Sequence, residues 1–430
     1  MTARAIVLSD LHLAVAGAGG FDEDRALVGM LERLRAEGDT ELVLAGDIFD
    51  LLLDPSYDDF SRTLAVPRLQ RIFDNHHEVI MALGAFARAT GNSLTLLSGN
   101  HDPELALPEV RKWIGAMLGV PRIGEEHELV PGSGSSPPVF GCAVGPTEAP
   151  VWIVHGDRWD LDNHVDRSRL LATGTLELPL GSRLVIEVLR ELRAQGHEWV
   201  YWLKPELSAV VPLLLYLDPV RTWTCVGKHL GLSRRLLVNQ IRTLTRATGL
   251  FGPAEGTTPA ARQPSWIVDL AESLDPAAAE SLLAGFQRAL ELGHPPTPKE
   301  GLTGHGGVRK WLVRAWLAGV RRSDRFSELD GPDPIHPRAQ RIVPPEVHAL
   351  VVGHTHGART LEGSSYVNTG TWLPIVGVPE GPLEQVIDAI ERGELRGEAP
   401  RSYAEITLGA KPIVALRRCD ASGRPTEEQR

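Results

Sequence analysis

The 430-residue chain predicts a layered α/β fold, and three observations carry that prediction. Short apolar runs of strand type stop abruptly at acid, amide or imidazole side chains: Ser9-Asp10-Leu11-His12, Gly46-Asp47-Ile48-Phe49-Asp50, Gly99-Asn100-His101-Asp102, His155-Gly156-Asp157 and Gly353-His354-Thr355-His356. Stretches with helical spacing separate the earlier runs, giving the β-α-β-α-β order of a layered sheet protein. After a long helical interval strand character returns near residue 347, so the fold is split around an insertion.

Residues 5–8 form a short apolar strand, and Asp10 and His12 behind it are expected on one face because strand neighbours alternate. Residues 17–20 are a glycine-rich loop, and 24–37 place Leu27, Met30, Leu31 and Leu34 on one helical face. Residues 42–45 are an apolar run buried on both sides; its carboxyl end, where α/β sheets present chemistry, carries Asp47. Residues 68–90 are helical, with His76 and His77 read as core or surface histidines. Residues 93–97 deliver Asn100, His101 and Asp102 ahead of Pro103, 131–138 are a loop, and 151–154 lead to His155.

From 158 to about 345 helical periodicity takes over, with helices expected at 184–193, 207–217, 230–245, 267–292 and 308–325 and Gly/Pro-rich joints at 252–264 and 293–307. This interval is a helical cap holding seven of the ten tryptophans. Its most apolar part, 207–217, is far shorter than the roughly 20 residues needed to cross a bilayer. Segment 226–242 has the outline of a helix-turn-helix, an outline that any two packed helices with a glycine joint share. Strands resume at 347–352, and further strands at 366–372, 403–408 and 412–416 are expected to be antiparallel. The domain plan is thus 1–157 and 346–420 for one split core, 158–345 for the cap, and 421–430 for a polar, frayed tail.

Apolar content of 43% and charged content of 23% are those of a globular protein rather than a disordered one. Cys142, Cys225 and Cys419 are odd in number and far apart in sequence, which suggests neither a disulfide framework nor a thiolate zinc site and fits a reducing, cytoplasmic setting. The first eight residues run almost directly into Asp10, leaving no room for a cleavable signal. Residues 158–345 hold 24 Lys+Arg against 20 Asp+Glu; the rest hold 44 - 24 = 20 against 55 - 20 = 35, so a mildly basic insert sits in an acidic chain. The bulk acidity argues against indiscriminate nucleic-acid binding. Within 308–325, Arg309, Lys310, Arg314, Arg321, Arg322 and Arg325 face only Asp324, beside an apolar side with Trp311 and Trp316. A core-facing helix with a solvated basic face is the plain reading, and peripheral contact with an anionic membrane the sharper one. No obligate protein partner follows from the sequence.

An aspartate has two oxygens and can bridge two metal ions, so Asp47 is the expected centre of a site whose other ligands come from the runs Asp10-Leu11-His12, Gly99-Asn100-His101-Asp102, His155-Gly156-Asp157 and Gly353-His354-Thr355-His356. Mixed imidazole and oxygen donors suit Mn, Fe or Zn better than an all-oxygen Mg or Ca cage. His101 can hand a proton to a leaving oxygen, with Asp102 holding its tautomer. Asp50 and Asp157 read equally as acceptors that orient ligand histidines and as turn formers. Asp160, Asp162, Asn163 and His164 read first as caps at the start of a helix.

In order and placement, Asp10-x-His12, Gly46-Asp47, Gly99-Asn100-His101-Asp102, His155 and Gly353-His354-x-His356 resemble the five motifs of the calcineurin-like metallophosphoesterases. The resemblance implies a four-layer α/β/β/α sandwich. It also implies one divalent ion held by Asp10, His12, Asp47 and His356, and a second held by Asp47, Asn100, His155 and His354. Two such ions, about 3.5–4 Å apart, clamp a phosphoryl group and lower the pKa of a bound water toward about 7. Arg158 and Arg359, beside ligand motifs, could then hold phosphate oxygens of a phosphoester substrate. The inserted cap gives a distant likeness to the UDP-2,3-diacylglucosamine pyrophosphatases, which implies a lipid-linked pyrophosphate; that family carries Arg where this chain has His101. The Gly46 and Gly99 motifs also resemble double-strand-break repair nucleases, so a nuclease or cyclic-nucleotide-type phosphodiesterase is the alternative. A non-catalytic metal-stabilised module would need lost ligands, and none is lost.

Overall fold

The computed structural model describes residues 4–18, 20–121, 123–132, 138–160, 163–195, 197, 201, 221, 222, 224, 225, 333, 335–361, 365–375, 389, 392, 394 and 397–426. The chain divides into two compact units, Met1–Lys204 with Glu328–Arg430, and Pro205–Ser327. Residues 158–204, expected in the cap, cluster with the first unit. The helices expected at 207–217, 230–245, 267–292 and 308–325 lie outside the described residues, and so do the helix-turn-helix outline and the basic face proposed for a membrane.

Two mixed sheets build the first unit. One joins β1 (Arg4–Leu8), β2 (Thr40–Ala45), β3 (Ser93–Leu97) and β4 (Gly124–Glu125) in parallel, then adds β11 (Ser402–Thr407) and β12 (Ile413–Arg418) antiparallel beyond β1. The other runs β5 (His127–Val130), β6 (Val139–Val144), β7 (Val151–Ile153), β8 (Ala349–Val352), β10 (Tyr366–Asn368) and β9 (Arg359–Thr360). Tyr366–Asn368, expected antiparallel, runs parallel to β8 because β9 first reverses the chain and β10 reverses it again.

Alternation along the strands sets the layers. Ala5, Val7, Val43, Ala45 and Leu97 point between the sheets and pack on Cys142, Val144, Val151, Ile153, Ala349 and Val351 of the second sheet. Their buried neighbours Ile6, Leu8, Leu42 and Leu44 point to the opposite side, where α1 (Asp24–Glu37) and α3 (His77–Arg88) cover β2 and β3. The expected helix at 68–90 is two helices, α2 (Ala65–Asn75) and α3, jointed at His76. His76 is a satisfied core histidine: its Nδ1 donates to Asp24 (2.7 Å) and its Nε2 accepts the Ala14 N–H (3.2 Å). Trp152, Val154, Leu350, Val352 and Tyr366 on the outer face of the second sheet pack on Trp159, Ile335 and Ala339. The architecture is therefore α/β, with two face-to-face sheets and helices outside them.

Helix α4 (Pro108–Leu118) precedes the second sheet, and α5 (Arg167–Thr173), α6 (Leu180–Leu184), a π turn (Val185–Leu189) and α7 (Arg190–Ala194) follow β7, with α5 against Pro103–Ala106 and the π turn against Leu51–Leu53. The start of α5 is capped by Asp166, whose carboxylate accepts the Arg169 N–H (2.9 Å), in place of the expected caps at 160–164. Asp162 lies outside the described residues. The tail does not fray immediately after Asp420: the Asp420 carboxylate accepts N–H groups of Ser422 and Arg424, and Thr426 N–H donates to Arg418 O. Among the described residues no helix is long and apolar enough to cross a membrane.

Candidate metal centre

The site forms where the carboxyl ends of β1, β2, β3, β7 and β8 converge, the edge at which parallel strands leave their loops. Asp10 and His12 were expected to follow the alternation of β1. They lie past its end instead, with left-handed φ of 53° and 52°, and their loop is pinned to the next one: Asp10 N–H donates to Gly46 O (3.1 Å) and His12 N–H to Asp47 O (2.9 Å). Two glycines let the loops close up. A Cβ on Gly46 would meet the His155 ring at 2.6 Å, and one on Gly99 would meet Asp47 Oδ1 at 2.1 Å.

All seven candidate ligands are brought together. The ligand atoms of Asp10, His12 and His356 lie within 4.8 Å of one another, and those of Asp47, His155 and His354 do likewise. In the first group His356 Nε2 is 3.2 Å from both Asp10 Oδ1 and His12 Nε2. In the second, His155 Nε2 is 3.1 Å from Asn100 Oδ1 and 3.3 Å from Asp47 Oδ2, which is also 3.9 Å from His12 Nε2.

The donor set fits divalent cations, and the outer contacts fix which atom of each ring is offered. His12 Nδ1 donates to Asp50 Oδ2 (3.0 Å) and His155 Nδ1 to Ala45 O (3.0 Å), so each turns an Nε2 lone pair toward the carboxylates. His354 is used the other way round. Its Nε2 donates to Asp160 Oδ2 (3.1 Å), while its Nδ1 is buried without a hydrogen-bond partner among the described residues, as an atom kept for a ligand would be. Burial opposes charge on Asp10 and Asp47, but the histidines beside them outweigh it and hold both carboxyls below the usual range. Burial likewise opposes charge on His155, and Asp47 overrides it, pushing the imidazole up to about 10. A field that draws a proton to that nitrogen also draws a cation.

Asp102 is not the partner of His101. Its carboxylate accepts four backbone N–H groups, from Gly99 (2.6 Å), Asp47 (3.2 Å), Ile48 (2.7 Å) and Phe49 (3.1 Å), and so ties the β2 and β3 tips together. The carboxylate facing His101 is Asp50, whose Oδ1 accepts from His101 Nδ1 (3.1 Å). Burial lowers the His101 pKa, but Asp50 and Asp47 outweigh it and raise it to about 9. Of the two acids left open as orienters or turn formers, Asp50 orients histidines. Asp157 instead accepts from buried Arg167 (2.9 Å) and the Val165 N–H (3.1 Å).

Arg158 and Arg359 are engaged locally, Arg158 donating to Pro138 O (2.9 Å) and Arg359 to Gly357 O (3.2 Å). Sequence reasoning missed the support behind the last loop. Buried Asp333 accepts from Thr355 Oγ1 (3.1 Å) and Asn368 Nδ2 (2.7 Å), and Asn368 also donates to Gly353 O (3.0 Å), which fixes the backbone between His354 and His356. Ser9 and Thr369 buttress Asp10, their hydroxyls 2.6 Å apart. Asn368 and Thr369 had the same sequence signature as the ligands, polar residues closing an apolar strand.

Buried imidazoles and carboxylates gathered at sheet tips, with outer acceptors already assigned, form a site able to hold metal ions. Residues 3–201 match the family model of the calcineurin-like phosphoesterases, which indicates a phosphoester hydrolase, and the clustered Asp and His side chains are able to hold metal. The Gly353-His354-Thr355-His356 loop lies beyond the matched span, and the fold brings it to the same site. No curated protein matches the chain.

Proposed function

We propose that the domain hydrolyses a phosphodiester or pyrophosphate at a dinuclear centre, with Asp47 as the shared ligand. The observation that carries the reading is the position of Asp47 Oδ2 between His155 Nε2 and His12 Nε2, one from each group of ligands. Asp10, His12, Asp47 and His356 would hold one ion, and Asp47, Asn100, His155 and His354 the other; the donor types favour Mn, Fe or Zn. Such ions, when bound, polarise the phosphoryl group and activate water.

The chain's own contribution beyond ligation is proton delivery. His101 donates through Nδ1 to Asp50, which leaves Nε2–H as the proton for a departing oxygen, a role that contributes about 10²–10⁴ in rate. Asp50 holds that ring and the His12 ring with its two oxygens, so one carboxylate aligns a ligand and the acid together.

Metal analysis and a substrate panel test the reading together. Purified wild-type protein should bind two equivalents, and Asp47→Ala should lose more metal than any other single ligand change. Hydrolysis of bis-p-nitrophenyl phosphate by that variant should fall by more than the roughly 10–100-fold typical of outer-contact changes. Retention of two ions in Asp47→Ala would remove the shared-ligand model. Comparing bis-p-nitrophenyl phosphate, p-nitrophenyl phosphate, UDP-sugars and single-stranded DNA in Mn separates a diester or pyrophosphate substrate from a monoester, and the lipid-linked pyrophosphate class from nucleic acid.

A further inference from the structure

The hydroxyl of Tyr201 sits against the pair of histidines that Asp50 aligns. It donates to Asp50 Oδ2 and lies 3.4 Å from His12 Nδ1 and 3.3 Å from His101 Nδ1. The ring stands edge-on to both imidazoles, with centroids 6.0 Å from His12 and 6.3 Å from His101, and the Arg193 guanidinium covers it at 4.9 Å. Asp50 is completely buried, so its oxygens have only protein donors to satisfy them: His101 on Oδ1, His12 and Tyr201 on Oδ2.

From this geometry we infer that Tyr201 is a positioning residue for proton delivery, acting through Asp50 to hold the His101 imidazole in line with the leaving oxygen. A carboxylate with two donors on one oxygen cannot rotate about its own axis without breaking one of them, so the oxygen that faces His101 stays fixed. Without the hydroxyl, Asp50 could turn toward His12 alone and the His101 ring would lose its stop. Tyr201 belongs to the first unit, three positions before that unit gives way at Lys204, so the chain leading to the inserted unit supplies the stop. This inference rests on the proposed role of His101.

The test is Tyr201→Phe, assayed across aryl phosphodiesters from p-nitrophenyl to unsubstituted phenyl, with His101→Gln and the double variant alongside. For the phenyl ester kcat should fall about tenfold, the scale of one lost hydrogen bond to a charged group, with KM within about twofold. The p-nitrophenyl ester, whose leaving group needs little protonation, should lose less than about threefold. Added to His101→Gln, the tyrosine change should cause no further loss, since it acts through that ring. Equal losses across the series, a change confined to KM, additive effects in the double variant, or departure of the ions from Tyr201→Phe would each overturn the inference. A wild-type enzyme inert toward the whole series would sink the phosphoester reading beneath it, and that is seen before any variant is compared.

Discussion

Among the described residues, seven other than glycine hold a left-handed φ, and five of these are candidate ligands: Asp10, His12, Asp47, His354 and His356. Each such residue costs of order 1–3 kcal/mol, and the strain persists because surrounding hydrogen bonds over-determine it. Asp10 shows how: its backbone is held by Gly46 O and by Thr371 Oγ1 (2.6 Å), and its side chain by the His354 N–H (2.9 Å). A second residue carries a burden that has nothing to do with ligands. Glu104 is fully buried beside the equally buried Tyr57 hydroxyl, close enough for each to perturb the other but short of hydrogen-bonding geometry. Burial, the largest influence, pushes the carboxyl up to about 7 from its ordinary 4.5. The folded state thus binds the proton more tightly than the unfolded chain. Stability from the neutral acid is complete below pH 4.5 and drains away as pH rises to about 7. A shift of about 2.5 units corresponds to roughly 3 kcal/mol. Glu104→Gln should therefore match the wild type near pH 4 and exceed it in stability at pH 8 by up to about that amount. Urea melts at the two pH values decide it; a difference independent of pH would show that the carboxyl ionises freely in the fold.

At the scale of elements, the site depends on loops being held against one another more than on the strands that carry them. Asp102 fastens the turn after β2 to the turn after β3 with four N–H acceptances, and a neutral amide there could keep only the pair on its oxygen. Asp102→Asn should then cost about 3–5 kcal/mol, from two lost charge-assisted bonds and an NH₂ aimed at backbone donors. Thermal unfolding of the metal-loaded protein measures it, and a loss under about 1 kcal/mol would mean the loops are held elsewhere. That the candidate ligands lie together was legible in the sequence, because a parallel strand buried on both faces is a continuous apolar run and its polar terminus marks the open end of the sheet. The partners of those ligands were not. Asp50 follows Asp47 by three positions and Asp102 follows His101 directly, and only the path of the turns decides which one meets the His101 ring. The direction of β10 was hidden for a related reason: it depends on β9, two residues long and without a periodic pattern.

On the scale of the whole molecule, the centre joins parts of the chain that are remote in sequence. His12 and His356 face each other at 3.2 Å across 344 positions, and Asp10, Asp47 and Asp50 are buried within the same cluster. Bringing such segments together carries a loop-closure cost, and packing three carboxylates out of water adds to it. A cation that binds only the assembled site offsets both terms. At a free concentration 100 times its Kd, a single ion stabilises the fold by about 2.7 kcal/mol. For a domain of this size that corresponds to roughly 5–10 °C in Tm. Dialysis against a chelator should lower Tm by that order, and adding back Mn or Zn should restore it in a titration that saturates at two equivalents. On the proposed division of roles, in which His101 delivers a proton and Asp47 is the shared ligand, His101→Gln should keep the full shift, whereas Asp47→Ala should lose most of it. Saturation at one equivalent would reduce the centre to a single ion. A Tm indifferent to chelation would mean that the carboxylates are compensated by the histidines and backbone donors alone, and that assembly of the site does not depend on metal.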